Sequence, residues 1–296
     1  MIELEHQFTK TRIAPTPSGY LHIGNALSFA ITAGLAERYG AKILLRIDDL
    51  DRERANRKYI DDIFDTLNFL EIPWDEGPRD GDDFEKHWSQ VRRLELYNEA
   101  LARLKEQGNV FACTCSRAQI RAINADDTYP GTCRDKNLPF DAPETSWRLY
   151  TDDSTLVINT IEGREEAVLP DTMKDFVVRK KDGYPAYQLS SIVDDEYFGI
   201  DLIVRGQDLW ASTIAQHFLA HKMGAEAFLK ARFYHHPLLM ERVGTKLSKS
   251  AGSTSIKYLR ENGKSKIEVF CEIASMLNVA ERPANWRELV RLIGII

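Results

Sequence analysis

Short apolar runs alternate with stretches of helical periodicity in the first part of the chain. Residues 11–14 form a short apolar run that a proline-rich turn ends, and residues 21–39 carry apolar side chains at helical spacing. Residues 42–47 form a continuous apolar run, as in a strand buried on both faces of a parallel sheet, and Arg57–Leu70 is helical again. This β-α-β-α order predicts an α/β fold with a doubly wound parallel sheet, whose ligands bind beyond the carboxyl ends of the strands.

The remaining pattern predicts that an insertion of helices and short strands interrupts this sheet. Helices are predicted at 88–107 and 208–223. Strand-like patterns occur at 147–149, 156–161, 166–169, 176–179, 187–193 and 201–205, and further helical ones at 256–261, 267–277 and 286–293. We therefore expect the first half of the sheet domain in 1–85, the insertion in 86–175, the second half in 176–250 and a helical segment in 251–296.

Composition excludes some classes of protein. The chain has no run of about 18 apolar residues, which a transmembrane helix needs, and its charged start is unlike a signal peptide. We expect a cytoplasmic monomer with no membrane partner and with four reduced cysteines. The net charge of −6 argues against a general nucleic-acid-binding protein, but residues 201–296 carry 14 basic and 9 acidic side chains. A polyanion would bind there and around Arg117, Arg121 and Arg134, unless these charges are ordinary solvated surface.

A first motif for phosphate binding lies where the first predicted helix begins. Pro15 lies in the turn after the first strand, and His22, Gly24 and Asn25 open the helix. A helix N-terminus offers unpaired N–H groups and the positive end of its dipole to a phosphate. His22 adds a donor, and Gly24 leaves room for a planar base. A His-x-Gly sequence on its own is more often an ordinary turn.

A second motif, KLSKS at 246–250, places Lys246 and Lys249 three residues apart in a loop. Two mobile cations can neutralise the charge that develops on a departing pyrophosphate, although such a loop alone is more often solvated surface. Together and in this order, the two motifs resemble the HIGH and KMSKS signatures of the class I aminoacyl-tRNA synthetases. The resemblance implies a Rossmann-type catalytic domain in which His22, Lys246 and Lys249 act on ATP.

Several blocks of sequence resemble the glutamyl-type members of that family. They are RIAPTPSG at 12–19, LRIDDLD at 45–51, DFVV at 175–178, AYQL at 186–189 and IVRG at 203–206. The resemblance implies an L-glutamate site formed by Arg12, Ala14, Thr16, Asp48, Tyr187 and Arg205. The two arginines suit the carboxylates of glutamate, Asp48 suits its ammonium group, and Tyr187 supplies a hydroxyl and an apolar wall. The alternatives are a surface ion pair for each arginine and helix capping for Asp48.

The family usually has glutamate at the position of Asp48. The shorter side chain of aspartate would need a bridging water, or compensation from Asp49 or Asp51, to reach the ammonium group of the substrate.

Three cysteines, Cys113, Cys115 and Cys133, lie within 21 residues and have the C-x-C…C spacing of zinc ligands. Structural zinc usually has four protein ligands, and the residues alone do not identify the fourth. The alternative is that the three cysteines are buried, reduced thiols that bind no metal. With Tyr129 included, the pattern resembles the zinc site of the glutamyl-queuosine tRNA(Asp) synthetases. That resemblance implies one structural zinc ion with Tyr129 as its fourth ligand.

The resemblance covers about residues 10–255 and implies an enzyme. It would join L-glutamate to ATP, with Mg²⁺ on the phosphates, and pass the glutamyl group to queuosine in the anticodon of tRNA(Asp). Only 46 residues follow Ser250, so we expect no anticodon-binding domain and an anticodon stem-loop as the RNA partner. The alternatives are a minimal glutamyl-tRNA synthetase that charges the 3′ end of tRNA(Glu), and a non-catalytic paralogue that binds nucleotide or RNA.

Overall fold

The computed structural model describes residues 7–239 and 255–296, in which short strands alternate with helices. The strands are β1 (Lys10–Ile13), β2 (Lys42–Leu45), β3 (Val110–Cys113), β4 (Ser146–Leu149), β5 (Leu156–Asn159), β6 (Arg164–Ala167), β7 (Val177–Arg179), β8 (Leu202–Gly206) and β9 (Arg232–His236). The helices are α1 (Ile23–Tyr39), α2 (Arg57–Leu70), the single turn α3 (Gly81–Asp83), α4 (Leu94–Glu106), α5 (Arg117–Ile123), α6 (Tyr187–Tyr197), α7 (Trp210–Met223), α8 (Glu226–Lys230), α9 (Ile256–Glu261), α10 (Lys266–Met276) and α11 (Trp286–Leu292). Within these ranges, none of the helices has the length and apolar character that crossing a bilayer requires.

A four-stranded sheet has the strand order β2-β1-β8-β9. Strand β1 runs parallel to β2, with Ile13 opposite Leu45, and parallel to β8, with Thr11 opposite Leu202. Most side chains of these three strands are buried, as their continuous apolar runs predict. Because parallel strands have their carboxyl ends at one edge of a sheet, the segments that follow β1, β2 and β8 meet there. The predicted α/β fold with a parallel sheet is confirmed.

Helices α1 and α2 follow their strands for different reasons. Helix α1 is apolar around most of its circumference and is buried for most of its length, and α10 and α11 pack against it. Helix α2 is amphipathic and is capped at its N-terminus by Asn56, whose side chain accepts the N–H of Lys58. The three helices predicted near the end of the sequence are all present, as α9, α10 and α11.

The described chain folds as two compact units. The first comprises residues 7–92, 202–207, 234–239 and 255–296, and it contains β1, β2 and β8 with their flanking helices. The second comprises residues 93–201 and 208–233, with the antiparallel sheet β3-β4-β7, the hairpin β5-β6 and helices α4 to α8. The functional division expected at residues 86, 176 and 251 stays a prediction.

Two predicted strands differ from the structure. Residues 187–193 belong to helix α6 and not to a strand, because a short apolar run has no periodicity that separates a buried helix from a buried strand. Ser190 and Ser191 are buried along with Leu189 and Ile192, so this helix is covered on most sides. The strand predicted at 166–169 lies at Arg164–Ala167, where pairing with β5 fixes its position.

Candidate functional site

The loop after β1 leads to His22, which caps the N-terminus of α1. Nδ1 of His22 accepts the N–H of Gly24 at 3.1 Å, and Oδ1 of Asn25 accepts the N–H of His22 at 3.0 Å. These two bonds form a capping box. With Nδ1 as an acceptor, the neutral imidazole carries its proton on Nε2. The local sequence therefore fixes both the ring orientation and the tautomer of His22.

Gly24 is required at its position by the ring of His22. A Cβ atom built on Gly24 would lie 2.9 Å from Cε1 and 3.0 Å from Nδ1 of His22. The space beside Gly24, which the sequence suggested for a planar base, is therefore taken by the imidazole. The roles of Gly24, Asn25 and the buried Pro15 in ATP binding stay predictions.

Two buried arginines, Arg12 on β1 and Arg205 on β8, share one face of the parallel sheet. Thr11 lies opposite Leu202, so these two side chains point to one side of the sheet. Arg12 follows Thr11 by one residue and Arg205 follows Leu202 by three, so both arginines point to the other side. Only 5% of Arg12 and 3% of Arg205 is exposed. Nη1 of Arg12 donates to the carbonyl oxygen of Val204 at 3.1 Å, which fixes it against β8. Two guanidinium groups near the carboxyl edge of the sheet suit a ligand with carboxylates.

Asp48 is held in a buried, bidentate ion pair by Arg46. Nε of Arg46 lies 2.7 Å from Oδ1 of Asp48, and Nη2 lies 3.0 Å from Oδ2. The N–H of Asp48 donates to the carbonyl oxygen of Pro15 at 2.9 Å, which ties the loop after β2 to the loop after β1. A carboxylate has about four lone-pair positions, so this pairing leaves capacity for an ammonium group. Arg46 is not among the predicted site residues, although an arginine two residues before Asp48 was a signal for such a pair.

The other two aspartates of this loop have structural partners. Asp49 is buried and accepts hydrogen bonds from the hydroxyl of Ser89 at 2.6 Å and from the N–H of Gln90 at 2.8 Å. Asp51 pairs with Arg54 at the surface. These contacts hold the loop in place, and compensation for Asp48 by either aspartate stays a prediction.

The remaining predicted site residues lie in different places. Thr16 is exposed and Ala14 is partly buried in the loop after β1. Tyr187 begins α6 in the second unit and is 43% exposed. Lys246 and Lys249 lie outside the described residues. The first unit thus places the predicted residues that it contains near one edge of its sheet.

Ser255 and Ile256, at the start of α9, lie beside His22. Ser255 forms an antiparallel bridge with His22, and the N–H of Ile256 donates to the carbonyl oxygen of Leu21 at 2.8 Å. Ser255 follows Lys249 by six residues in the sequence. The backbone pairing therefore joins His22 to a residue that closely follows the KLSKS motif in the sequence.

The three clustered cysteines and Tyr129 come together in the second unit. The three Sγ atoms lie within 4.8 Å of one another. The sulfurs of Cys115 and Cys133 are 3.6 Å apart, and the hydroxyl of Tyr129 is 3.6 Å from the sulfur of Cys113. Tetrahedral zinc, with bonds of about 2.3 Å to sulfur and about 2.0 Å to oxygen, requires S···S distances of about 3.8 Å and S···O distances of about 3.5 Å. The two measured distances of 3.6 Å are close to those that a bound zinc ion requires.

The enclosed position of these donors shifts their pKa values. Burial raises the pKa of the Cys115 thiol to about 12 and raises the pKa of the Tyr129 hydroxyl well above its usual range. Burial acts on Cys133 in the same direction, but hydrogen bonds from the N–H of Thr114 and from the neighbouring thiols lower the pKa of Cys133 to about 7. All three cysteines are free thiols, and Phe111 and the ring of Tyr129 pack around them. Enclosed sulfur donors of this kind select zinc over harder cations.

The arginines expected to contact RNA are partly engaged in the protein itself. Arg121 pairs with Asp127 at the surface. Arg134 pairs with Asp175 and donates to the carbonyl oxygen of Thr151 at 3.0 Å. Arg117 is exposed at the start of α5. Contact of these three arginines with RNA stays a prediction.

Comparison with known families decides the class of this site. The family of class I tRNA synthetases (E and Q), catalytic domain, matches residues 9–296. The chain belongs to this family. As a member of the class I tRNA synthetases it is an enzyme of ligase type, and membership implies ATP, an amino acid and a tRNA as partners.

Curated relatives within the synthetases have two different names. The chain is 34% identical over 286 residues to the glutamyl-Q tRNA(Asp) synthetase of Symbiobacterium thermophilum, an alignment that covers 92% of this chain and 87% of the relative. It is 35% identical over 271 residues to the glutamate–tRNA ligase of Anaeromyxobacter sp. (strain Fw109-5), which covers 86% of this chain and 55% of that relative. The chain thus spans about half the length of the second relative.

A solved synthetase has the same fold. The glutamate-tRNA synthetase from Elizabethkingia anophelis aligns with a TM-score of 0.74 and 22% identity, over 98% of this chain and 65% of that chain. This likeness supports the class I synthetase fold of the described residues.

Proposed function

We propose that this synthetase activates L-glutamate with ATP, forming glutamyl-adenylate and pyrophosphate. The observation that carries the proposal is the pair of buried arginines, Arg12 and Arg205, on one face of the sheet near its carboxyl edge. Glutamate has two carboxylates, and a guanidinium group can bind each in a bidentate pair. Asp48, which pairs with Arg46, would accept the ammonium group.

ATP would bind at the N-terminus of α1, with Mg²⁺ on its phosphates. The capping box orients His22 so that Nε2 carries a proton, and the helix dipole favours a phosphate at this end. Lys246 and Lys249 would neutralise the charge of the departing pyrophosphate. Adenylate formation needs positioning and charge stabilisation, so no covalent nucleophile is required.

The proposed acceptor is queuosine in the anticodon of tRNA(Asp). Three relatives named glutamyl-Q tRNA(Asp) synthetase are 33–37% identical to this chain over 83–92% of its length and 79–87% of their own. The tyrosine and three cysteines of the second unit support the same assignment, because they have the pattern that resembles the zinc site of those enzymes.

One structural zinc ion is proposed for the cluster of Cys113, Cys115, Tyr129 and Cys133. The distances of 3.6 Å between the sulfurs of Cys115 and Cys133, and between the Cys113 sulfur and the Tyr129 hydroxyl, support this proposal. The ion would join the end of β3 to the segment after α5, a region of short elements that has a small apolar cluster of its own.

A second candidate function is the charging of tRNA(Glu) at its 3′ end. The observation that favours it is the 35% identity to a glutamate–tRNA ligase over 86% of this chain. The two candidates share glutamate activation and differ only in the acceptor.

The experiment that separates them supplies labelled glutamate and ATP together with one RNA at a time. The RNAs are tRNA(Asp) with queuosine, tRNA(Asp) with guanine at the same position, and tRNA(Glu). Labelling of the queuosine-containing tRNA(Asp) alone is the expected result. Labelling of tRNA(Glu) alone would replace the first candidate by the second, and an enzyme that exchanges pyrophosphate only with another amino acid would refute both.

A further inference from the structure

Arg148 lies over the aromatic ring of Tyr129. Its guanidinium carbon is 3.8 Å from the centroid of the ring, and only 8% of Arg148 is exposed. Pairing of β3 with β4 places Arg148 opposite Phe111, whose own ring is 6.2 Å from that of Tyr129. Nη1 of Arg148 donates to the carbonyl oxygen of Asp175 at 2.8 Å. The sheet and this hydrogen bond therefore fix the cation over the ring.

The positive charge of Arg148 has no carboxylate partner among the described residues. Within residues 7–239 and 255–296 it forms no ion pair with a carboxylate, and its Nε donates to no acceptor. The carboxylate of Asp175, the residue whose carbonyl oxygen Arg148 contacts, is engaged by Arg134 and by the N–H and hydroxyl of Thr151. A buried cation without a counter-charge is strongly destabilising, so an anionic partner is needed near the guanidinium.

The proposed metal centre supplies that negative charge. Three thiolates and one phenolate exceed the charge of a zinc ion by two, and the phenolate ring is the surface on which Arg148 lies. A cation over the face of an aromatic ring is attracted by the ring itself, and more strongly when the ring carries negative charge. The buried arginine and the anionic cluster therefore compensate each other.

We propose that Arg148 is a positioning residue for the metal centre: it holds Tyr129 as the oxygen ligand and balances the excess negative charge of the loaded cluster. This inference rests on the zinc site proposed above. It extends that site from four ligands to a fifth residue, which contacts a ligand and not the metal. Groups that support metal ligands in this way typically change metal affinity about 10–100-fold when they are removed.

The test compares metal binding by the full chain and by three variants. Arg148→Met is expected to raise the zinc dissociation constant about 10–100-fold in competition with a chelator. Arg148→Lys keeps the charge and is expected to recover part of that loss. Arg179→Met is the matched control, because Arg179 also lies over an aromatic ring of the same sheet, that of Trp147 at 5.1 Å, which is not a proposed ligand.

A spectroscopic measurement separates positioning from mere support of the fold. The visible spectrum of Co²⁺ bound at the site depends on its donor atoms. Cobalt-loaded Arg148→Met is expected to shift toward the spectrum of Tyr129→Phe, whereas Arg179→Met keeps the spectrum of the unchanged protein.

Three results would overturn the proposal. Wild-type zinc affinity and cobalt spectrum in Arg148→Met would refute the role of Arg148 and leave the zinc site intact. Equal losses in Arg148→Met and Arg148→Lys, with a cobalt spectrum unlike that of Tyr129→Phe, would show that the side chain only supports the fold. An unchanged protein that binds neither zinc nor cobalt would refute the zinc site, and the role of Arg148 with it.

Discussion

Ser255 pairs with the backbone of His22, so α9 begins beside the first turn of α1. His22 and Lys246 are more than 220 residues apart in the sequence. The bridge brings the segment that follows the lysine motif back to the helix N-terminus where a phosphate is expected. We therefore expect the two distant motifs to act on one nucleotide.

Lys249→Ala is expected to slow glutamate-dependent ATP–pyrophosphate exchange about 10²–10³-fold, the usual cost of one preorganised charge-stabilising group. The measurement is exchange in the absence of RNA. Lys264→Ala is the control, because Lys264 pairs with Glu268 at the surface of the first unit. A near-normal rate in Lys249→Ala would contradict the role assigned to KLSKS.

Arg260→Leu is expected to lower the free energy of unfolding, and more so near neutral pH than near pH 4. Arg260 of α9 pairs with the buried carboxylate of Asp62 on α2, and burial raises the pKa of Asp62 while the charge of Arg260 opposes that rise. Without Arg260, the pKa of Asp62 in the folded state rises further. Because the folded-state pKa of Asp62 lies above its unfolded value, ionisation of Asp62 opposes folding. Stability is therefore lost as the pH rises from the unfolded pKa to the folded one.

Urea unfolding at the two pH values measures this effect. Breaking a buried ion pair costs about 3–5 kcal/mol, and because 21% of the Arg260 side chain is exposed we expect about 2 kcal/mol near neutral pH. The double variant Asp62→Asn/Arg260→Leu should lose the added pH dependence. An equal loss of stability at both pH values in Arg260→Leu would mean that packing, and not charge, explains the contact.

Arg205→Met is expected to lower kcat/KM for glutamate about 10–10²-fold, because a charge-assisted hydrogen bond contributes about 1.5–3 kcal/mol. The KM for ATP should change little, since the guanidinium is assigned to a substrate carboxylate. Arg54→Met, which removes an exposed pair with Asp51 in the loop after β2, is the control. A change confined to the KM for ATP would remove Arg205 from the glutamate site.

Cys133→Ser is expected to abolish binding of one zinc ion per chain, as measured by elemental analysis. Structural zinc contributes on the order of 10 kcal/mol to local folding in small metal-binding peptides, so hydrogen exchange should rise around β3 and α5. The parallel sheet of the first unit should keep its protection. Cys271→Ser should retain the metal, because Cys271 lies in the first unit, outside the cluster. Full occupancy in Cys133→Ser would exclude the assigned ligand set.

An isolated anticodon stem-loop of tRNA(Asp) that carries queuosine is expected to accept glutamate, and the same stem-loop with guanine is not. Proteins read single-stranded RNA loops by stacking and by contacts to base edges, so the acceptor stem is not needed for recognition. Removal of the 3′ end from labelled full-length tRNA(Asp) should leave the label on the RNA. Release of the label with the terminal adenosine would identify a 3′-end synthetase.

Some features were predictable because they are local. Continuous apolar runs identified β1, β2 and β8, and apolar side chains at helical spacing identified α1 and α2. Helix α6 was not identified, because four buried residues in a row fit a strand as well as a helix, and only packing on most sides made it helical. Strand β6 was displaced for a related reason, since its position depends on its partner β5.

The sequence by itself determined the parallel sheet, the two phosphate motifs and the cysteine spacing, because periodicity and short motifs are properties of neighbouring residues. Only the tertiary structure decided that Arg12 and Arg205 share a face, since strand register joins residues far apart in the chain. It alone placed Arg148 over Tyr129, because an arginine in a strand has no pattern that names the ring it will cover. Chemistry at a site depends on such distances, and distances between remote residues are set when the chain packs.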